Sequence, residues 1–146
     1  MADEAYRAVF LRVHPTGKMV LSLTTESDGH EGAYAQLVAD ELGIPALDVK
    51  VLPADENRFG TGHGFNTRPS PGTPAAIASA TGKILAKAQL LAAVDLGADA
   101  VQWDDGAFTA NGDSRTIADV AMYAHGTGAL PPGVEGGLDA QTVYRD

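Results

Sequence analysis

The chain has 146 residues, 45% of them hydrophobic and 20% charged, with no Cys and a formal net charge of −9 at pH 7. A chain near 150 residues buries roughly 70% of its unfolded surface, so residues 1–146 are expected to form one domain. So acidic a chain is a poor candidate for gripping nucleic acid or an anionic bilayer through a general field. The missing Cys excludes disulfide scaffolds, thiol nucleophiles, Cys-ligated zinc and Cys-held iron–sulfur clusters.

The first residues lack a basic segment and carry Asp3 and Glu4, which argues against a signal peptide. No stretch approaches the ~20 apolar residues of a membrane span. A cytoplasmic location is the expectation. Tyr6 to Val13 alternates as a strand with apolar residues on both faces, the pattern of an inner strand. His14-Pro15-Thr16-Gly17 is a turn, and Lys18 to Thr25 a second strand, completing a β-hairpin. After a polar stretch, Ala33 to Leu42 repeats Tyr34, Leu37, Val38 and Leu42 at helical spacing, stopped by Gly43 and Pro45. Asp48 to Leu52 is a short strand.

Pro53 to Pro74 has no periodicity, and a structureless segment of that length inside a domain is usually functional or disordered. Ala75 to Leu96 is the longest helix, with Ile77, Ile84, Leu85, Ala88 and Leu91 along one stripe and Gly97 as C-cap. Val101–Trp103 and Ala107–Thr109 flank Asp104-Asp105-Gly106, a second hairpin in which Trp103 and Phe108 pair across the strands as core. Ser114 or Thr116 can cap a helix over Ile117 to Ala124. From Gly126 to Asp146 Gly and Pro dominate, which reads as an extended tail needing something outside this chain to lie on. The fold class is therefore α+β: a mixed sheet of two hairpins and a further strand against two main helices.

Two loops could carry chemistry. Asp28-Gly29-His30-Glu31 lies between a strand and a helix start, where free backbone N–H groups suit an anion. A plain polar turn, with Ser27 or Asp28 capping the helix, is the commoner use of that composition. The segment Asp55 to Thr73 holds Arg58, His63, Asn66, Thr67, Arg68 and Ser70 ahead of the long helix, a phosphate-like environment. It has no Gly-Lys-Ser/Thr and no dinucleotide fingerprint, and a surface loop is about as consistent with it. His14, His30, Glu31 and His63 have no ligand spacing, so no metal site is assigned. No Ser sits in a Gly-x-Ser-x-Gly elbow.

Several runs occur together in order: Leu11 to Gly17, Gly29-His30-Glu31, Tyr34-Ala35-Gln36, Ala39 to Pro45, Lys83 to Gln89, Ala92-Ala93, and Gly136 to Ala140. From about Tyr6 to Asp146 this sequence resembles the xanthine oxidase family of molybdenum hydroxylases, in particular its aerobic carbon monoxide dehydrogenase type of large, molybdenum-binding subunit. The resemblance implies a molybdenum-cofactor-binding-domain-like fold and a molybdopterin cofactor, as molybdopterin itself or its cytosine dinucleotide. No haem, iron–sulfur or flavin group is expected in this chain. In the family the first loop reads Gly-Gln-Gly-His-Glu-Thr and touches the cofactor near molybdenum. The second, Gly-Ser-Arg-Ser, helps to hold the pterin and its phosphates.

By that match Asp28, Gly29, His30 and Glu31, with Asn66, Thr67 and Arg68, are the cofactor-binding candidates. Asp28 replaces Gln, Gly32 replaces Thr, and Asn66 and Pro69 replace Gly and Ser. The Asp28 carboxylate is acceptor-only and would be repelled by a pyrophosphate or an oxo group. The family's other molybdenum-facing loop and its glutamate base have no counterpart in these 146 residues, so no catalytic residue is assigned. The chain is expected to hydroxylate nothing alone and to need complementary molybdenum-hydroxylase chains. The alternative is a non-catalytic interaction or assembly module, or a self-associating one, that keeps the fold without the cofactor. A small stand-alone enzyme using His30 or Glu31 as acid or base ranks last.

Overall fold

The computed structural model describes residues 8–23, 30–52, 72–104, 106–126 and 130–144. Strands β1 (Ala8–Val13) and β2 (Met19–Leu23) form the first hairpin, in register Val9 to Leu23 through Val13 to Met19. Its turn closes through Gly17 N–H to the His14 carbonyl at 2.8 Å, with Gly17 at φ 91°. A Cβ there would stand 2.7 Å from the Ala118 Cβ, so glycine serves both the backbone and the close approach.

Helix α1 (Glu31–Leu42) ends at Gly43, whose left-handed φ of 67° lets its N–H reach the Ala39 carbonyl. It buries Tyr34, Ala35, Val38, Ala39 and Leu42, whereas Leu37, expected inward, is 40% exposed. The small Ala35 and Ala39 complete the packed stripe instead, a substitution that an alanine-blind periodicity misses. A single 3-10 turn, Ala46–Asp48, leads into β3 (Val49–Leu52), parallel to β2.

Helix α2 (Thr73–Leu96) starts two residues before the expected Ala75 and ends at Gly97 as anticipated. Its buried stripe includes Ile77, Ala80, Thr81, Ile84, Ala88 and Leu91. By length and composition α2 could cross a membrane, which the sequence reading did not allow for. Here that stripe belongs to the protein core, with Val9, Leu11, Val13, Met19, Leu21, Leu23 and Leu138 of the sheet.

The second hairpin joins β4 (Gln102–Asp104) to β5 (Ala107–Ala110), and Trp103 and Phe108 pair with ring centroids 4.6 Å apart. A third strand, β6 (Asp113–Thr116), continues it through Asn111-Gly112, both at positive φ. Helix α3 (Ile117–His125) begins with a full capping box, the Thr116 side chain accepting from Asp119 N–H and the Asp119 carboxylate accepting from Thr116 N–H.

Two expectations need correction. The described residues form two sheets, not one: β3-β2-β1-β7 and β4-β5-β6. The stretch from Gly126 also contains β7 (Leu138–Val143), which runs antiparallel along β1 within the same chain. It is fastened at several points. Lys83 Nζ donates to the Gln141 carbonyl at 2.6 Å, the Thr73 and Tyr144 hydroxyls meet at 2.8 Å, and Gly137 N–H donates to the Ala124 carbonyl at 2.9 Å. His125 Nε2, 3.0 Å from the Val13 carbonyl, must carry the proton of that bond because a carbonyl only accepts.

Candidate functional site

Of the seven predicted site residues, His30 and Glu31 fall within the described structure. Asp28 and Gly29, and the second-loop residues Asn66, Thr67 and Arg68, lie outside the described residues, as do Arg58, His63 and Ser70. His30 is the N-cap of α1 and makes no side-chain capping bond; Ser27 and Asp28, the expected caps, lie outside the described residues. The first helical turn, from Glu31 through Ala33, is exposed. Its leading amides have no partner one turn back and are directed out of the helix. Nothing stands within 4 Å of where a Cβ at Gly32 would be, so a ligand can come close to the backbone there.

The His30 ring lies against Tyr34 one turn along, with centroids 5.8 Å apart and planes at 38°. Tyr34 is buried, so it is a fixed wall on which the exposed imidazole rests. Sequence reasoning placed Tyr34 in the core but missed this supporting role, although an aromatic four residues after a His on a helix is the pattern that announces it. The Glu31 carboxylate in the first turn favours the helix itself. It would oppose a second negative charge arriving at the same amides.

At the other predicted loop, the structure describes only the last residues. Gly72 is the N-cap of α2, again without a side-chain bond, and Pro74 in the first turn has no N–H to offer. Thr73, the last residue of that segment, is fully buried, and its Oγ1 is occupied by the Tyr144 hydroxyl. Its place in the core makes it an anchor for β7.

Two depressions lie elsewhere among the described residues. One of about 580 Å³ lies over the outer face of the four-stranded sheet, lined by Phe10, Arg12, Val20, Ser22, Asp139 and Gln141. The other, about 370 Å³, lies at Asp95, Arg115, Asp119, Met122 and Tyr123. In it Arg115 Nε donates to Asp95 at 2.8 Å, and that bond chiefly raises the guanidinium pKa above its ordinary value. Asp119 is held by the helix cap, so this cluster is a structural one. Among the described residues, no three His, Asp or Glu side chains converge as a metal site.

The start of α1 offers an anionic group the amides of Gly32 and Ala33, an open glycine and a seated imidazole, against the opposing charge of Glu31. Comparison with known proteins gives the chain as a whole a family. Residues 2–146 match a family model described as a molybdopterin cofactor-binding domain. The carbon monoxide dehydrogenase large chain of Hydrogenophaga pseudoflava is 36% identical over 142 residues, 92% of this chain and 17% of that one. The corresponding large chain of Afipia carboxidovorans is 35% identical over the same share. Among solved structures, the Cu,Mo-CO dehydrogenase in its carbon monoxide reduced state superposes with a TM-score of 0.80 at 34% identity, covering 97% of this chain and 18% of that one. Quinoline 2-oxidoreductase from Pseudomonas putida 86 gives 0.75 at 28% identity, over 97% of this chain and 19% of that one. The chain thus spans about one sixth of the length of the relatives it matches.

Proposed function

Because the chain belongs to the molybdopterin cofactor-binding domain family, we propose that it is one cofactor-binding module of a carbon monoxide dehydrogenase-type molybdenum hydroxylase, working in the cytoplasm with complementary chains. The observation that carries this reading is the uncapped, exposed start of α1 with His30 seated on Tyr34, within a fold shared with a Cu,Mo-CO dehydrogenase. The amides of Gly32 and Ala33 would donate to an anionic or oxo group, and His30 would present a ring nitrogen beside them. Asp28 and Gly29 would border the same group, and Asn66, Thr67 and Arg68 would hold the pterin and its phosphates, the guanidinium as a bidentate donor. The cofactor is molybdopterin, carried here as its cytosine dinucleotide; when bound in the assembled enzyme it supplies hydroxylation or oxidation at molybdenum with water as the oxygen source. This chain's part is to bind and orient.

Asp28 favours a second reading, a module that keeps the fold for assembly and no longer holds the cofactor, since its carboxylate offers no donor. One experiment separates them. The chain is co-expressed with complementary large-chain segments of a relative, purified, and assayed for molybdenum and released pterin nucleotide. Bound metal and nucleotide in the complex are expected, reduced by Arg68→Ala and raised toward one per complex by Asp28→Gln. An assembled complex free of both, unchanged by Asp28→Gln, would establish the second reading instead.

A further inference from the structure

The outer face of the four-stranded sheet is built in two rows. Strand register sets Gln141, Phe10, Ser22 and Leu52 side by side in one row, and Asp139, Arg12, Val20 and Lys50 in the next. The inner residues of the same strands, Val9, Leu11, Val13, Met19, Leu21 and Leu23, are all sealed in the core. An antiparallel sheet with one face packed this way ordinarily turns polar side chains outward. Here Phe10 and Val20 stay partly exposed around the 580 Å³ depression, and Leu52 is partly exposed at the end of the first row. Arg12 and Asp139 are opposite each other in register, and among the described residues neither takes part in an ion pair. An apolar centre edged by charges is the anatomy of a protein interface.

What covers it follows from proportion. The relatives share this fold over nearly its whole extent and carry more than four fifths of their length beyond it. We infer that this face docks the remainder of a carbon monoxide dehydrogenase-type large chain, an inference that rests on the module reading above. The matching segment sets an apolar side chain between Phe10 and Val20, a carboxylate toward Arg12 and a cation toward Asp139. Alternate strand positions thus divide the work: Val9, Leu11 and Val13 of β1 hold the domain together, and Phe10 and Arg12 hold it to its partner.

The test uses the intact chain and, as probe, the Hydrogenophaga pseudoflava large chain lacking its matched segment. Binding is measured for the unaltered chain and for Phe10→Asp, Arg12→Glu and Leu47→Asp, the last at a side chain 98% exposed and away from this face. Phe10→Asp and Arg12→Glu are expected to weaken binding by about tenfold or more, the effect of losing an interface anchor, with Leu47→Asp unchanged and thermal melts alike. Binding that survives both face substitutions would overturn the inference while leaving the module reading intact. If the unaltered chain ignores the probe, or pairs only with itself, both fall.

Discussion

The two sheets of this molecule are made in opposite ways. The three-stranded sheet is a meander: β4, β5 and β6 follow one another between Gln102 and Thr116, and each turn contains a glycine at positive φ. The four-stranded sheet takes β1 and β2 from the start of the chain, β3 after a helix, and β7 from beyond residue 137. One is specified by turn chemistry within fifteen residues. The other exists only once α2 has packed, because α2 supplies both its cover and the ties to β7. Local pairing closes short loops at small entropic cost, whereas β7 must bring together residues 125 or more apart, as at Leu138 opposite Val13.

The largest effects come from emptying the core beneath each sheet. Phe108 (β5) and Leu138 (β7) are both fully buried and belong to one cluster. Phe108→Ala is expected to cost about 3–5 kcal/mol and Leu138→Ala about 2–5 kcal/mol in urea denaturation. Trp103, the single Trp, lies against Phe108 and reports the small sheet, while far-ultraviolet circular dichroism reports the whole. Because the core is continuous, both probes are expected to show the same midpoint in Leu138→Ala. If Trp103 keeps its native emission after the dichroism is lost, the local sheet stands alone and the comparison becomes one of two folding units.

A smaller effect isolates the local sheet's turn. Gly112 has φ 83° and open space where a Cβ would be, so Gly112→Ala meets a purely conformational penalty. About 1–2 kcal/mol is expected, with hydrogen exchange accelerating in β5 and β6 and unchanged in β1. Exchange rising equally in both sheets would show that the meander is not locally specified.

This contrast also explains how much was legible in the sequence. The first hairpin, both long helices with their Gly43 and Gly97 caps, and the Thr116 cap were readable because each signal lies within a few residues of its effect. β6 was readable too: Asn111-Gly112 is the pair that a tight hairpin turn demands, and it was passed over because Asp113 to Thr116 is polar and without an apolar stripe. β7 was not readable. Its alternation is hidden among Gly and Pro, and what fastens it is Lys83 and Thr73 of a distant helix, reaching the Gln141 carbonyl and the Tyr144 hydroxyl. The same limit applied to the site. An anion-suited helix start could be seen at His30–Glu31, but which hydroxyls remained free could not, and Thr73 is spent on Tyr144.

The smallest effect tests the tie itself. Lys83 is exposed, yet its ammonium sits on the Gln141 carbonyl and 3.2 Å from the Thr142 hydroxyl, which in turn donates to Ser79. The residues of β7 whose carbonyls point away from β1 form a free edge, and an unguarded edge recruits other strands. Lys83→Met keeps the stem that lies along the helix and removes only the charged donor. A loss of about 1 kcal/mol is expected, the net worth of such a bond. More telling is association: light scattering is expected to rise with concentration for Lys83→Met and to stay flat for Lys87→Met, one turn further along the same helix. Equal behaviour of the two variants would mean that the edge of β7 needs no guard, and that the long-range sheet is closed by the core and by Thr73–Tyr144 alone.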